Sequence, residues 1–467
     1  MDIRAKNHSE IKFEDLWLRR SGFSLFFWKL QRLEHLSITE RLFAAILSGD
    51  KERSREIITS AETLTMVAFI ELVRKHRFAR LTLDNLCEMN VLQNLDESQR
   101  NELSLVATQE TACQNRSDKN FKNVLSLVAN LVDSLVWIKG VSLCRTVYAL
   151  PVHRQCGDFD VVVKADKFAT LVETLESAGF TCVYDPGFCN QLEVGPILPH
   201  SALTLSPAPG LIPSSLCSIQ YQDTMIDIKI GPLDRGLQMH EIDRFFSDSS
   251  NRVFLGECFR SPSLVDHLVI CVHTLQKDRF QGWKTLFDVH LLSGKLSKEE
   301  QMWDIFVSRC KLEGLEEAAW VSLSLAADRF ATVVPQVVLT ALTPRRSLAF
   351  IGMTFTASPY FVWNATGLPM LLLNAATSSD RHRKLQALGA ACFPNRAFIC
   401  GYFNNGKLMS PIFHAVCMVL HWLVLLLPGG VIRNSFGKII WPAPKHEHVP
   451  VVPPGSGPPL QKIRERI

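Results

Sequence analysis

Residues 157–163 read Gly-Asp-Phe-Asp-Val-Val-Val, and this short run limits the fold more than composition does. Side chains alternate along a β-strand, so Asp158 and Asp160 take one face while Phe159, Val161 and Val163 take the other. The apolar face joins a core, which fixes the two carboxylates side by side. Two like charges about 4 Å apart repel by roughly 4 kcal/mol at an effective dielectric near 20, so a cation or a proton belongs between them. A few hard oxygen ligands, with room left for phosphates, favour magnesium or manganese over zinc or calcium. The bland alternative, a solvated Asp-x-Asp at a strand edge, stays open on this motif alone.

Two neighbouring patterns sharpen the choice. The short run 136–138 leads into Lys139-Gly140-Val141-Ser142 and then a helical pattern. Gly140 lets the backbone turn and approach a ligand closely, Ser142 is placed to cap the following helix, and a helix N-terminus attracts phosphate. An ordinary strand-to-helix turn has the same pattern. Further on, residues 225–230 read Met-Ile-Asp-Ile-Lys-Ile, which puts Ile226, Ile228 and Ile230 on one face and Asp227 with Lys229 on the other. If this strand lies beside the Asp158 strand with its isoleucines inward, Asp227 completes a three-carboxylate site for two metal ions. A surface aspartate on a half-buried strand is the alternative.

The rest of the chain is a frame for this unit. Its 467 residues are enough for about three domains by the usual size prior. With 47% hydrophobic and 21% charged residues, wholesale disorder is excluded. A net charge of +4 is too small for a protein whose main work is neutralising nucleic-acid phosphates. The 13 cysteines are odd in number and show no zinc spacing, so they read as reduced, mostly buried thiols. The polar start lacks a signal-peptide core, which points to the cytoplasm.

Residues 1–135 read as a helical lobe. Phe121, Val124, Leu125, Val128, Leu131, Val132 and Leu135 form one stripe, and Ser37 and Ser60 are positioned as helix-starting caps. Residues 136–260 hold the short strands, interrupted by a Pro-rich loop at 184–216. Residues 261–440 return to helical periodicity, and 441–467 form a tail too rich in Pro and Gly to pack, which is expected to be disordered. Residues 408–432 carry no Asp, Glu, Lys or Arg. Pro411, Pro428 and Gly429-Gly430 leave a helix of about 16 residues, short of a bilayer span, so a buried helix and membrane contact both stay open.

Taken in order, G-x-S, then D-x-D, then an acidic residue on a later strand resembles the signature of the DNA polymerase beta-like nucleotidyltransferase superfamily. The phrase I-K-G-V-S-L, Arg154 shortly before G-D-F-D-V-V-V, and a helix ending in E-S-A-G-F resemble its uncharacterised nucleotidyltransferase family. The likeness extends to E-L-V-R-K-H-R-F-A-R-L upstream and W-K-T-L-F-D-V-H-L-L downstream, over about residues 35–400. It implies an α+β fold in which a small mixed-sheet nucleotidyltransferase core is flanked by helical N- and C-terminal regions.

By the same resemblance, Gly140 and Ser142 hold a nucleoside triphosphate; Lys139 and Arg154 either neutralise its phosphates or form surface ion pairs. Asp158, Asp160 and Asp227 bind Mg2+ or Mn2+, and Asp227 deprotonates the acceptor. The acceptor class is open among small molecule, saccharide, peptide and RNA. His273 and Asp288 match recurrent positions and either line the acceptor or pack and pair, the second being the preferred reading. The family commonly shows Leu-His after its third carboxylate, whereas Ile228-Lys229 follow Asp227 here, so acceptor handling is expected to differ. The rival reading is a non-catalytic nucleotide-binding or membrane-peripheral partner protein on the same fold.

Three further signals are set aside. Residues 401–408 nearly spell a P-loop but end in Leu408 where Ser or Thr should hold magnesium. His267, His273 and His290 lack metal spacing, and the clusters Arg345-Arg346 and 381–384 read as solvated helix ends.

Overall fold

The computed structural model describes residues 36–60, 63–183, 217–221, 223–233, 241–278, 280 and 282–343. The Pro-rich loop 184–216, the P-loop-like stretch, the two basic clusters, the apolar segment 408–432 and the tail lie outside the described residues.

Helices α1 (Ile38–Ser48), α2 (Lys51–Ser60), α3 (Thr63–His76), α4 (Ala79–Glu88) and α5 (Glu97–Leu127) come first. Ser37 starts α1 as expected: its hydroxyl accepts the Glu40 N–H while the Glu40 carboxylate accepts the Ser37 N–H. Ser60 does not start a helix. It is the last residue of α2, and its hydroxyl donates back to the Glu56 carbonyl oxygen. The stripe running from Phe121 is buried except for the half-buried Val132, but α5 stops at Leu127, a 3-10 turn over Ala129–Ser134 carries Leu131 and Val132, and Leu135 already begins a strand. Steps of three keep residues on one face in either helix type, so the pattern predicts burial without fixing the element.

The sheet segment follows, with β1 (Leu135–Ile138), α6 (Lys139–Thr146), β2 (Phe159–Val163), α7 (Phe168–Ser177), β3 (Thr181–Val183), β4 (Cys217–Tyr221) and β5 (Thr224–Lys229). These strands form a five-stranded sheet in the order β1-β2-β5-β4-β3, in which only the β2–β5 pair is parallel. Helix α8 (Ile242–Asp248) leads to a separate hairpin of β6 (Ser250–Phe254) and β7 (Glu257–Ser261). Helices α9 (Leu264–Lys277), α10 (Trp283–Leu296), α11 (Glu300–Glu313), α12 (Glu316–Phe330) and α13 (Gln336–Leu342) complete an α+β molecule. None of the described helices is long and apolar enough to cross a membrane.

Both faces of the sheet are covered. Phe159, Val161, Val163, Ile226 and Ile228 pack with Phe121, Val124 and α7 in one core. Val136, Ile138 and Val162 face the other way, into a second core shared by the helices before the sheet and those after it. Aromatic contacts join the two helical sets: the Phe43 ring lies 5.3 Å from Trp283, and Phe78 lies 5.7 Å from Phe287. The acidic face therefore looks toward the helices. Among cysteines whose side chains are described, Cys144, Cys271 and Cys310 are buried, Cys156 is half-buried, and Cys87, Cys113 and Cys258 are exposed, so burial is less general than the sequence suggests.

Candidate active site

Strand register assembles the site. β2 and β5 run parallel with Asp160 opposite Asp227, so both carboxylates leave the same face of the sheet. Lys229 lies two residues beyond Asp227 and shares that face. On the far side of β2, Ile138 stands opposite Asp160, which brings Lys139 to the same place at the β1–α6 junction. Lys139 has a φ of +53°, a left-handed conformation that a residue with a Cβ adopts at a cost of about 1–2 kcal/mol.

Asp160 is 3% exposed, and its Oδ1 lies 2.9 Å from Lys139 Nζ and 2.8 Å from Lys229 Nζ. Burial alone would raise this carboxyl, but the two ammonium groups outweigh it and hold it down to about 2. Asp158 is exposed and behaves in the opposite way. Partial loss of water around it, then the charges of Asp160 and Asp227, push its carboxyl above the usual range despite Lys139 and Lys229. Asp227 is half-buried. The structure thus brings Asp158, Asp160, Asp227 and Lys139 together, with the isoleucines of β5 turned inward as the alternation requires.

It does not bring Ser142 and Arg154 to a ligand. Helix α6 begins at Lys139, so Ser142 is inside its first turn rather than at its cap. Its buried hydroxyl donates to Ser261 Oγ at 2.7 Å and lies 3.3 Å from His267 Nε2. The buried Arg154 grips Asp288 through two bonds, Nε to Oδ1 at 2.7 Å and Nη2 to Oδ2 at 2.8 Å. Tyr148 donates its hydroxyl to the same Oδ1 at 2.7 Å. Gly140 does permit a close approach, but by Arg154: a Cβ there would lie 2.9 Å from Nη1. Asp288 is a buried pairing residue, and His273 is packed in α9 at 4% exposure.

Two cations that pattern reading passed over stand nearby. Arg77 follows α3 and reaches Gly157, next in the chain to Asp158; a Cβ on Gly157 would lie 3.9 Å from Arg77 Nη1. Lys284, in the first turn of α10, feels the charges of both Arg154 and Arg77. Both residues occur in the flanking phrases that carry the family resemblance, where their charge was the available signal.

No group of three or more His, Cys, Asp or Glu side chains poised to hold a metal occurs among the described residues. Two lysines compensate Asp160, the carboxylate a divalent cation would otherwise share. The donor chemistry still fits magnesium or manganese. Asp158 and Asp227 are hard oxygen ligands, and the Asp158 carboxyl, raised first by partial burial, also feels the like charges of Asp160 and Asp227, which a cation would compensate.

The comparisons agree with this architecture. The chain belongs to the uncharacterised nucleotidyltransferase family, whose sequence profile matches residues 64–331, from α3 through α12. No curated protein and no solved structure matches the chain.

Proposed function

We propose that the protein is a metal-dependent nucleotidyltransferase that moves a nucleoside monophosphate from a nucleoside triphosphate to a hydroxyl, or another nucleophile, of its acceptor. The observation that carries this reading is the paired placement of Asp160 and Asp227 on one sheet face, with Asp158 raised first by partial burial and then by their charges, in a chain of this family. Asp227 takes the proton of the acceptor hydroxyl. The oxygen then forms a bond to the α-phosphorus, the opposite phosphorus–oxygen bond breaks, and its electron pair leaves with pyrophosphate. Asp158, Asp227 and Asp160 are the residues that would hold Mg2+ or Mn2+, which when bound compensates phosphate charge and lowers the pKa of the attacking oxygen.

The lysines on Asp160 favour a second reading, nucleotide binding without chemistry, because they neutralise the central carboxylate without metal. Asp158→Asn separates the two. Asp158 is exposed, so the change leaves the fold intact and relieves repulsion; the variant should melt no lower than wild type. A nucleotide at about one hundred times its dissociation constant stabilises the native state by roughly 2.7 kcal/mol, a Tm shift of a few degrees. The transferase reading expects that shift to need magnesium and to disappear in Asp158→Asn, along with pyrophosphate release. A magnesium-independent shift that survives in Asp158→Asn supports binding without chemistry and sinks the transferase reading.

A further inference from the structure

Beside the acidic face the chain holds two cations that no described carboxylate pairs with. Arg77 occupies the position just past α3 with a φ of +56°, where helices favour Gly because a Cβ costs about 1–2 kcal/mol. Its N–H donates to the Arg74 carbonyl at 3.1 Å, and the Phe78 N–H donates to the Val73 carbonyl at 3.2 Å. Gly would close this turn equally well, so the turn itself does not call for an arginine. The guanidinium reaches Gly157 instead.

Lys284 is half-buried at the start of α10. Burial, with the charges of Arg154 and Arg77, lowers its ammonium to about 8, and Asp288 and Cys156 offset this only in part. Asp288 is already engaged by Arg154 and Tyr148. Glu110 shares the field of both cations, but its Oε2 accepts the Arg80 N–H at 3.3 Å and it forms an ion pair with neither. Packing holds the two cations at one place: His76 and Trp283, their chain neighbours, have ring centroids 6.5 Å apart, and both lie against the buried Phe43.

We propose that Arg77 and Lys284 form an anion subsite for a polyphosphate, on the Gly157 side of the acidic face, and that it takes the β- and γ-phosphates of the nucleotide. The ligand's identity rests on the nucleotidyltransferase reading; the anion preference does not. Arg77 is exposed and Lys284 half-buried; two like charges held together repel, and a multiply charged anion compensates both. The guanidinium fork matches two phosphate oxygens and the ammonium adds a point charge. Gly157 presents bare backbone, so a phosphate can come close to the turn that carries Asp158. Ser142 and Arg154, which the family resemblance assigns to phosphate, are occupied inside the fold, and Lys139 is on Asp160; Arg77 and Lys284 take over that role.

The test is calorimetric titration of inorganic tripolyphosphate into the full chain without divalent metal, at fixed ionic strength, using wild type, Arg77→Gly, Lys284→Met and Asp158→Asn. Wild type and Asp158→Asn should bind, and Arg77→Gly and Lys284→Met should each bind at least about tenfold more weakly, as for loss of one charge-assisted phosphate contact. Arg77→Gly and Lys284→Met should also melt no lower than wild type, since one relieves a left-handed residue and the other removes an ammonium that no described carboxylate pairs with; a purely structural role would lower both. Equal tripolyphosphate affinity in all four proteins, or none in wild type, overturns the subsite.

Magnesium-dependent nucleotide binding is measured on the same proteins. If Asp158→Asn abolishes it while Arg77→Gly and Lys284→Met leave it unchanged, the subsite falls and the transferase reading stands. If Arg77→Gly and Lys284→Met lose tripolyphosphate while Asp158→Asn binds nucleotide like wild type and neither of these last two proteins releases pyrophosphate, the subsite stands and the transferase reading falls.

Discussion

The Arg154–Asp288 pair shows how a residue can belong to a site's neighbourhood without belonging to its chemistry. Asp288 is 0% exposed and takes three donated hydrogen bonds, two from Arg154 and one from Tyr148. Replacing one member strands the other charge in a dry interior, so Asp288→Asn should lower the unfolding free energy by about 3–5 kcal/mol. Tyr148→Phe removes one hydrogen bond to a charged group and should cost about 1.5–3 kcal/mol. Urea midpoints of the two variants check both values, and a loss under 1 kcal/mol in Asp288→Asn, an order-of-magnitude limit, would show that the pair is not structural. The pair also marks the reach of sequence reading. Asp158, Asp160 and Asp227 were legible because strand alternation is local. Ser142 and Arg154 were not, because their partners Ser261 and Asp288 are 119 and 134 residues away along the chain. Chemically suitable residues were identified, but which contacts they would make was decided by distant elements.

At the scale of elements, end signals work where they are reciprocal. Asp96 begins α5 by accepting the Gln99 N–H at 2.8 Å, while the Gln99 side chain accepts the Asp96 N–H at 3.2 Å. Asp96→Ala removes the partner of one helix-end donor and should cost about 1 kcal/mol, read from the Tm of the purified variant; an unchanged Tm would mean that this end of α5 frays already. Ser37, with Glu40 three residues on, has the same two-way pattern and was legible. Ser60 lacks an acidic or amide partner at that spacing, since residue 63 is Thr, and it ends its helix instead. The strands gave a surer signal. A one-residue slip of β5 would bury Asp227 among the isoleucines' neighbours, so the Ile226–Ile228 alternation pins Asp227 opposite Asp160. The same alternation sends Lys229 to Asp160. Its identity was visible, but the ion pair depended on the parallel neighbour that no local pattern names.

Across the whole molecule, the helices before and after the sheet segment share one core, which places Glu110 of α5 at the meeting of both sets. Sequence periodicity identified both helical regions but could not show that they close on each other, because such packing is non-local. The arrangement has a pH signature. Burial raises the Glu110 carboxyl from 4.5 to about 7, against the backbone N–H groups of Arg80 and Ala79 and the charges of Lys284 and Arg77. Between these values the unfolded chain gives up its proton before the native one does, so the native state binds more protons and its stability falls as pH rises; above about 7 the loss is complete and constant. His76 and His267 act in the other direction, since burial lowers them to about 4 and about 3 and the unfolded chain gains protons below 6.5. Wild-type stability therefore falls on the acid side through these histidines and is held back on the neutral side by Glu110. Glu110→Gln keeps the shape and removes the ionisation. Its stability relative to wild type should increase by on the order of 2 kcal/mol between about pH 5 and about pH 7.5. Urea unfolding at both ends of that interval measures the difference, and a gap that stays constant with pH would place the Glu110 carboxyl in contact with water rather than in the shared core.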